Sequence, residues 1–126
     1  MRGQAVAEYA ILIAAALLIA ATFIAIASTY AERTSQARHQ TSVNDELERL
    51  QSELVAAAIA RDGYERTIVI KPRNAVSMTI RVHDNWIEAE SSLYSNIIRI
   101  PDVNGTVELD SGSFTVRKHE GSVIVS

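Results

Sequence analysis

The 126-residue sequence contains no cysteine, which excludes disulfide bonds, thiolate nucleophiles and metal sites built on cysteine. It does not exclude a location outside the cell, because disulfides are permitted there and not required. An excess of basic residues is also lacking, since 12 Lys and Arg stand against 15 Asp and Glu and give a net charge of −3. A nucleic-acid partner is therefore not expected, because binding to phosphates needs a concentrated basic surface.

Charge is absent altogether from one stretch near the N-terminus. No charged residue lies between Glu8 and Glu32, and from Ala10 to Ala27 only Thr22 is polar. No Gly or Pro interrupts this stretch, and its Ala, Leu and Ile favour a continuous helix. A run of about 20 apolar residues is long enough to cross the hydrocarbon core of a bilayer as a helix. Glu8, at the start of the run, costs free energy there unless it finds a partner or reaches the interface.

Two ordinary interpretations of this segment stay open. A secretory signal peptide has an apolar middle and a small-residue cleavage site, and 25–27 (Ala-Ile-Ala) fits such a site. The run is longer than most signal-peptide cores, however, and Glu8 stands where a basic residue is expected. A permanent membrane anchor with a domain outside the membrane is the second interpretation, with Tyr9 and Tyr30 as interfacial aromatics. The positive charges lie on both sides of the run and leave its orientation undecided.

A third interpretation comes from residues 2–9 (Arg-Gly-Gln-Ala-Val-Ala-Glu-Tyr) followed directly by the apolar helix. This combination resembles the processing site of type IV pilin-like proteins and covers the first quarter of the chain. The Gln start and the Glu-Tyr pair most resemble archaeal pilins with a class III signal peptide. The Glu-Tyr pair also occurs in bacterial tight-adherence (Flp and TadE-like) pilins. The resemblance implies that residues 1–3 are a leader peptide, which a prepilin peptidase removes between Gly3 and Gln4.

Glu8 then becomes the fifth residue of the mature chain, where the family carries its characteristic Glu. Cleavage would create an α-amine on Gln4, which is positive near neutral pH. In a filament the apolar helices leave the lipid and pack against each other, so each Glu8 needs a compensating group or a proton. The resemblance implies that the amine of a neighbouring Gln4 is this group, and that the pair sets the register between subunits. The alternative is a Glu8 side chain that simply reaches the lipid headgroups.

The apolar helix combines small and bulky residues in a way that suits packing between helices. Small side chains allow helices to approach closely, and bulky ones fill the space between them. The small residues are Ala14, Ala15, Ala16, Ala20, Ala21, Ala25 and Ala27. The bulky residues expected to pack in a filament core are Leu12, Leu17, Leu18, Phe23 and Ile24, with Ile19 and Ile26 beside them.

A second helical pattern follows the apolar run. Apolar residues spaced by four and three predict an amphipathic helix that packs on the following domain: Val43, Leu47, Leu50, Leu54 and Ala57. A coiled coil is the alternative, but the seam is short. Ser42 and Asp45 could cap a fresh helix start, and Asp45 can pair with Arg49 one turn on. We expect the helix to end near Arg61 or Asp62, with Gly63 as its C-terminal cap.

The helix is thus predicted over residues 4–62, with a membrane or filament-core segment at 5–31 and an amphipathic segment at 43–61. The polar stretch 28–42 is either helical throughout or frayed. From residue 63 to 126 the apolar period changes to two, which predicts a small antiparallel β domain. Its expected strands are 66–71, 75–83, 86–90, 93–100, 106–109, 113–117 and 123–125. The fold class is α+β, with a β meander packed by one face on Leu47, Leu50 and Leu54.

The sequence offers little for catalysis, and no enzyme, metal site or cofactor is expected. His39, His83 and His119 have no spacing typical of a metal site, and the two in the β half are predicted to be solvated. Trp86 is expected to pack in the core or at a sheet edge. The triplet 104–106 (Asn-Gly-Thr) matches an N-glycosylation acceptor at Asn104. The alternative is that Asn104 and Gly105 are present for a turn.

The resemblance implies a structural subunit of an extracellular, type IV pilus-like filament that polymerises through the N-terminal helix and serves adhesion or motility. Its partners would be other copies of the chain, the prepilin peptidase, the membrane before assembly, and an assembly ATPase with its membrane platform. The expected location is the cell surface, after insertion in the cytoplasmic membrane. The alternatives are a membrane-anchored or secreted β-rich binding domain, and a minor pilin or pseudopilin of a secretion or pilus machine.

Overall fold

A computed structural model describes residues 2–126, and it contains one long helix followed by β-strands. The helix, α1, runs from Arg2 to Ile59 without a break. No Gly or Pro lies between Gln4 and Ile59, so no residue there removes a helical hydrogen bond or forces a kink. Residues 28–42 are therefore helical throughout, and the helix does not start afresh at Ser42.

Eight strands lie within the described residues after the helix. They are β1 (Glu65–Ile70), β2 (Met78–His83), β3 (Trp86–Ser91), β4 (Ser95–Arg99), β5 (Val103–Asn104), β6 (Val107–Leu109), β7 (Gly112–His119) and β8 (Ser122–Val125). Seven of them coincide with the predicted strands to within a few residues. The two-residue strand β5 was not predicted, because two residues are too few to show an alternating pattern.

The strands form two four-stranded sheets instead of the single meander that the sequence predicts. Their orders are β1-β7-β8-β5 and β4-β3-β2-β6. All pairings are antiparallel except that of β5 with β8, which is parallel. After the β2-β3-β4 hairpins the next two strands join different sheets. β5 pairs with β8 and β6 pairs with β2, so neither pairs with the strand before or after it in the sequence. The predicted α+β class, a helix packed on small and mainly antiparallel sheets, is confirmed.

The hydrophobic core lies between the inner faces of both sheets and one side of α1. The helix contributes all five residues of the predicted stripe, and each is at most 1% exposed. Alternate strand residues complete the core, because successive side chains in a strand point to opposite faces. They include Ile68, Ile70, Ile80, Val82, Ile87, Phe114, Val116, Val123 and Val125. The interpretation that the stripe packs on the following domain is confirmed.

Contacts divide the chain into two compact units after Ser35. The second unit spans Gln36–Ser126 and so contains the last part of α1 together with all eight strands. The described residues of the first unit, 2–35, are helical throughout. The amphipathic part of the helix therefore belongs structurally with the β-strands.

Polar side chains also attach α1 to the sheets. The hydroxyl of Ser42 is fully buried and accepts a hydrogen bond from Asn74 Nδ2 at 3.3 Å. Gln51 Nε2 donates to the carbonyl of Arg99 at 2.7 Å, and Lys118 Nζ donates to the carbonyl of Ala58 at 2.7 Å. Ser42 is thus a contact with a loop between strands and not the helix cap that the sequence suggested.

Arg49 pairs with Glu46 and not with Asp45. Its Nε lies 3.2 Å from Glu46 Oε2, its Nη2 also contacts Glu46 Oε1, and the same Nη2 donates to the carbonyl of Val69 at 3.0 Å. The Glu46 side chain is only 4% exposed, and the hydrogen bonds that Arg49 donates to this carboxylate raise the pKa of Arg49. The predicted partner was wrong because position 45 faces solvent, while position 46 points toward β1, where Arg49 can bridge to the strand.

The helix ends at Ile59, two to three residues before the predicted end. Gly63 has a φ of 91°, but its amide donates to the carbonyl of Lys118 at 2.9 Å and not to a helix carbonyl. The prediction that Gly63 caps the helix is therefore wrong. Gly63 instead turns the chain toward β7, whose pairing with β1 begins two residues later.

Candidate assembly segment

The Gly3–Gln4 bond, the predicted cleavage site, lies in the first turn of α1. Gln4 and Glu8 are both exposed and are four residues apart, so they lie on the same face of the helix at an axial separation of about 6 Å. A chain that began at Gln4 would carry its positive amine at a helix N-terminus, where the helix dipole disfavours a cation. A nearby carboxylate such as Glu8 would offset this effect.

The apolar segment, residues 5–31, exposes its large side chains to the surroundings. The 18-residue window with the highest mean hydropathy, 2.8, has no residue buried inside the structure, and the helix is long and apolar enough to cross a membrane. The exposed residues include all those predicted to pack in a filament core: Leu12, Leu17, Leu18, Phe23 and Ile24. A helix that is apolar on all sides is stable only when something covers it. Lipid or other protein helices are the two surroundings that can do so.

The few hydroxyl groups of this part of the helix are satisfied within it. Thr22 Oγ1 donates to the carbonyl of Leu18 at 2.8 Å, and Ser28 Oγ donates to the carbonyl of Ile24 at 2.7 Å. Thr29 bonds in the same way to the carbonyl four residues earlier, at 3.0 Å. Bonds of this kind remove the cost of placing a hydroxyl in an apolar environment. Thr22 therefore does not interrupt the apolar character of the segment.

Small residues recur four apart along the segment. The pairs are Ala10 with Ala14, Ala16 with Ala20, and Ala21 with Ala25. Residues four apart lie on one face of a helix, and small side chains there let a second helix approach closely. The segment thus has both the bulky side chains and the small side chains that packing between helices needs.

The second compact unit, Gln36–Ser126, is called the β-strand unit from here on. It carries a charged cluster on the outer face of the β4-β3-β2-β6 sheet. Arg81 Nη1 lies 3.1 Å from Glu88 Oε2 and 3.0 Å from Glu90 Oε2, and its Nε lies 3.2 Å from Glu108 Oε1. Arg81 donates hydrogen bonds to the carboxylates of Glu88, Glu90 and Glu108, and these bonds raise the pKa of Arg81. Cross-strand pairing of Arg81 with Glu88 and Glu108 creates the cluster, so only the sheet register reveals it.

The three histidines lie apart and make different contacts. His39 Nδ1 is 2.9 Å from Ser91 Oγ, and His119 Nε2 is 3.8 Å from an exposed Glu120 carboxylate. His83 lies on the outer face of its strand, where it is half-buried and stacks on Trp86 with ring centroids 4.0 Å apart. Trp86 is half-buried on the outer sheet face. Within residues 2–126, no three His, Asp or Glu side chains are grouped so as to hold a metal ion.

Comparison of the chain with known protein families, with characterised proteins and with solved structures finds no match.

Proposed function

We propose that this chain is a structural subunit of a type IV pilus-like filament on the cell surface, inserted in the cytoplasmic membrane before assembly and held in the filament by its N-terminal helix. The observation that carries the proposal is the apolar segment, which is helical and exposed on every side. The Gly3–Gln4 pair directly precedes it, and Glu8 lies in its first turn. Copies of the same segment can cover each other, and the paired small residues favour such packing. The resemblance of residues 2–9 to a prepilin processing site supports the same function.

The β-strand unit would form the outer surface of the filament. Its core is complete without the apolar segment, since the buried residues of α1 begin at Ser42. A folded unit on an apolar stem satisfies the two requirements of such a subunit. The stem supplies cohesion, and the folded unit supplies a soluble exterior. The prepilin peptidase and an assembly ATPase with its membrane platform are partners that only the resemblance implies.

Glu8 is the residue that tests the assembly role. Changing Glu8 to Ala removes the carboxylate that would pair with the amine of a neighbouring Gln4. We expect membrane insertion and cleavage after Gly3 to be retained, while filament yield falls by about tenfold or more. A tenfold weaker association constant for each added subunit corresponds to ~1.4 kcal/mol. Electron microscopy of surface filaments, with membrane fractionation and intact mass of the same cells, measures all three quantities.

Two further variants separate charge from shape in this experiment. Glu8→Gln keeps the size of the side chain and removes its charge, so it should fail like Glu8→Ala. Glu32→Ala removes the next carboxylate along α1, beyond the apolar segment, and should assemble normally. Normal filaments from both Glu8 variants would contradict the pairing of Glu8 with Gln4.

The start of the native chain distinguishes the proposal from its alternatives. Intact mass and N-terminal sequencing of the protein from its own cells should give a chain that begins at Gln4. A start at Ser28 would instead indicate a secretory signal peptide and a secreted β-rich domain. An uncut chain would indicate a simple membrane anchor.

A further inference from the structure

Asn104 is an exposed residue in the two-residue strand β5, and it pairs with Ile124 of β8. Thr106 is exposed two residues later. Across residues 2–126 the Asn104 side chain and the Thr106 hydroxyl make no hydrogen bond, although other Asn and Thr side chains of this unit do. Val103 points into the core, so Asn104 points to the outer face of its sheet.

Turn geometry does not explain the asparagine. A two-residue type I′ turn needs positive φ at both central residues, which is why Asn-Gly is favoured there. The structure has backbone of this kind at Asn74 and Ala75 (φ 52° and 58°) and at Glu120 and Gly121 (φ 49° and 80°). At positions 104 and 105 only Gly105 has a positive φ, of 108°. Asn104 is therefore not selected by a left-handed backbone conformation.

The glycine has a separate reason to be present. A Cβ atom on residue 105 would lie 2.3 Å from the carbonyl oxygen of Val125, which is closer than real Cβ contacts allow. The positive φ and this close approach together require Gly105. Asn, by contrast, is disfavoured in strands and gains no hydrogen bond here. The fold therefore explains why residue 105 is Gly, but it does not explain why Asn104 and Thr106 flank it.

We propose that Asn104 is the acceptor of an N-linked glycan, with Thr106 as the hydroxyl residue of the acceptor triplet. The donor would be a lipid-linked oligosaccharide phosphate or pyrophosphate. In the transfer, the Asn104 amide nitrogen bonds to the anomeric carbon of the first sugar and loses a proton. The bond from that carbon to the phosphate oxygen breaks, and the lipid phosphate leaves with the electron pair. This proposal requires export of the β-strand unit, which the proposed function provides, although other routes of export would also suffice.

The outer face of this sheet has room for a glycan. A row across the sheet runs from Asn104 through Ile124 and Arg117 to Glu65. Arg117 and Glu65 form an exposed ion pair, with both side chains 57% exposed. Asn104 is itself exposed to solvent. A glycan there would stand on solvent-facing surface and would keep neighbouring filament subunits away from this face.

Intact mass and tandem mass spectrometry of the full chain from its native cells test the proposal. We expect a mass increment carried by the peptide that contains Asn104. Asn104→Gln, which keeps an amide, and Thr106→Val, which removes only the hydroxyl, should each abolish the increment. Thr106→Ser, which keeps the hydroxyl, should retain it. An increment that persists in Thr106→Val, or an unmodified Asn104 in exported wild-type chain, would overturn the proposal.

The same spectra separate this proposal from the proposed function. A chain that starts at Gln4 without a glycan would leave the filament proposal standing and refute the modification. A glycan on a chain that starts at another residue would support the modification and refute the filament proposal. Asn104→Gln should also leave the unfolding temperature of the unglycosylated chain unchanged, because the Asn104 side chain is exposed and makes no hydrogen bond among the described residues. A large fall in that temperature would show that Asn104 is structural.

Discussion

Ala75 is the residue at which the backbone is most clearly strained. It has a φ of 58° beside Asn74 at 52°, and the amide of Val76 closes the turn on the carbonyl of Arg73 at 2.8 Å. A left-handed conformation costs a residue with a Cβ atom about 1–2 kcal/mol. Asn74 tolerates the conformation and also donates a hydrogen bond to Ser42, whereas Ala75 does neither.

Changing Ala75 to Gly should therefore stabilise the protein. Relief of the left-handed strain exceeds the extra entropy that Gly gives to the unfolded chain, about 0.4–1 kcal/mol, so the net gain should be about 0.5–1 kcal/mol. Urea unfolding of the detergent-solubilised chain measures it. Ala56→Gly, an exposed helix position, is the matched control and should destabilise by up to about 1 kcal/mol. A loss of stability in Ala75→Gly would contradict the strain.

Residue-level patterns in the sequence are good at predicting which type of side chain is buried. Val76, Met78, Ile80 and Val82 alternate with polar residues along the sequence, and all four are buried in the core. Such patterns are poor at predicting which partner a polar side chain meets. Arg81 follows the same alternation, but its three carboxylate partners come from β3 and β6. Partner identity depends on strand register, which no short window of sequence contains.

At the scale of elements, the pair of Glu46 and Arg49 connects α1 to β1. Arg49→Met would leave the nearly buried Glu46 carboxylate without its partner and the Val69 carbonyl without its donor. Breaking a fully buried ion pair costs about 3–5 kcal/mol. The Arg49 side chain is 36% exposed, so we expect a smaller loss of stability, about 2–3 kcal/mol.

The exposed pair of Arg117 and Glu65 provides the control for this prediction. Arg117→Met should cost less than about 1 kcal/mol, because exposed ion pairs contribute little. Chemical denaturation of both variants under the same conditions gives the comparison. Equal losses of stability would show that the position of Arg49 between helix and strand has no special importance.

The ends of a helix or strand were predicted well where they depend only on residues close together in the sequence. The helix is continuous because nothing from Gln4 to Ile59 interrupts it, and its C-terminal end was missed by only two to three residues. The assignment of Gly63 as a helix cap failed for a non-local reason. The amide of Gly63 is taken by the carbonyl of Lys118, and that bond exists only because β7 pairs beside β1. Tertiary pairing therefore overrode a local capping signal.

At the scale of the whole molecule, the fold should not need residues 2–35. Every buried residue of α1 lies at Ser42 or later, and the second compact unit begins at Gln36. A fragment covering Gln36–Ser126 should therefore be soluble and monomeric, and it should unfold cooperatively. Circular dichroism and analytical ultracentrifugation check this expectation.

A shorter fragment provides the contrast. A fragment that begins at Arg61 lacks Leu47, Leu50 and Leu54, which fill the centre of the core, and it should not fold. If the fragment from Gln36 aggregates or unfolds without cooperativity, the division of the chain into an assembly part and a folded part is wrong. Success would also supply a soluble form in which the variants of Ala75 and Arg49 can be compared without detergent.

The sequence by itself determined the long helix, its apolar and amphipathic parts, the α+β class and the approximate positions of seven strands. These features depend on composition and on periods of 3.6 and two residues, which are properties of short windows. It also carried the motif at residues 2–9 on which the filament proposal depends. Only the tertiary structure decided that the strands form two sheets, that β5 runs parallel to β8, and that Arg49 pairs with Glu46. The physical reason is that strand order and polar pairing depend on contacts between residues far apart in the chain, where many arrangements bury the same apolar residues and only their combined packing selects one.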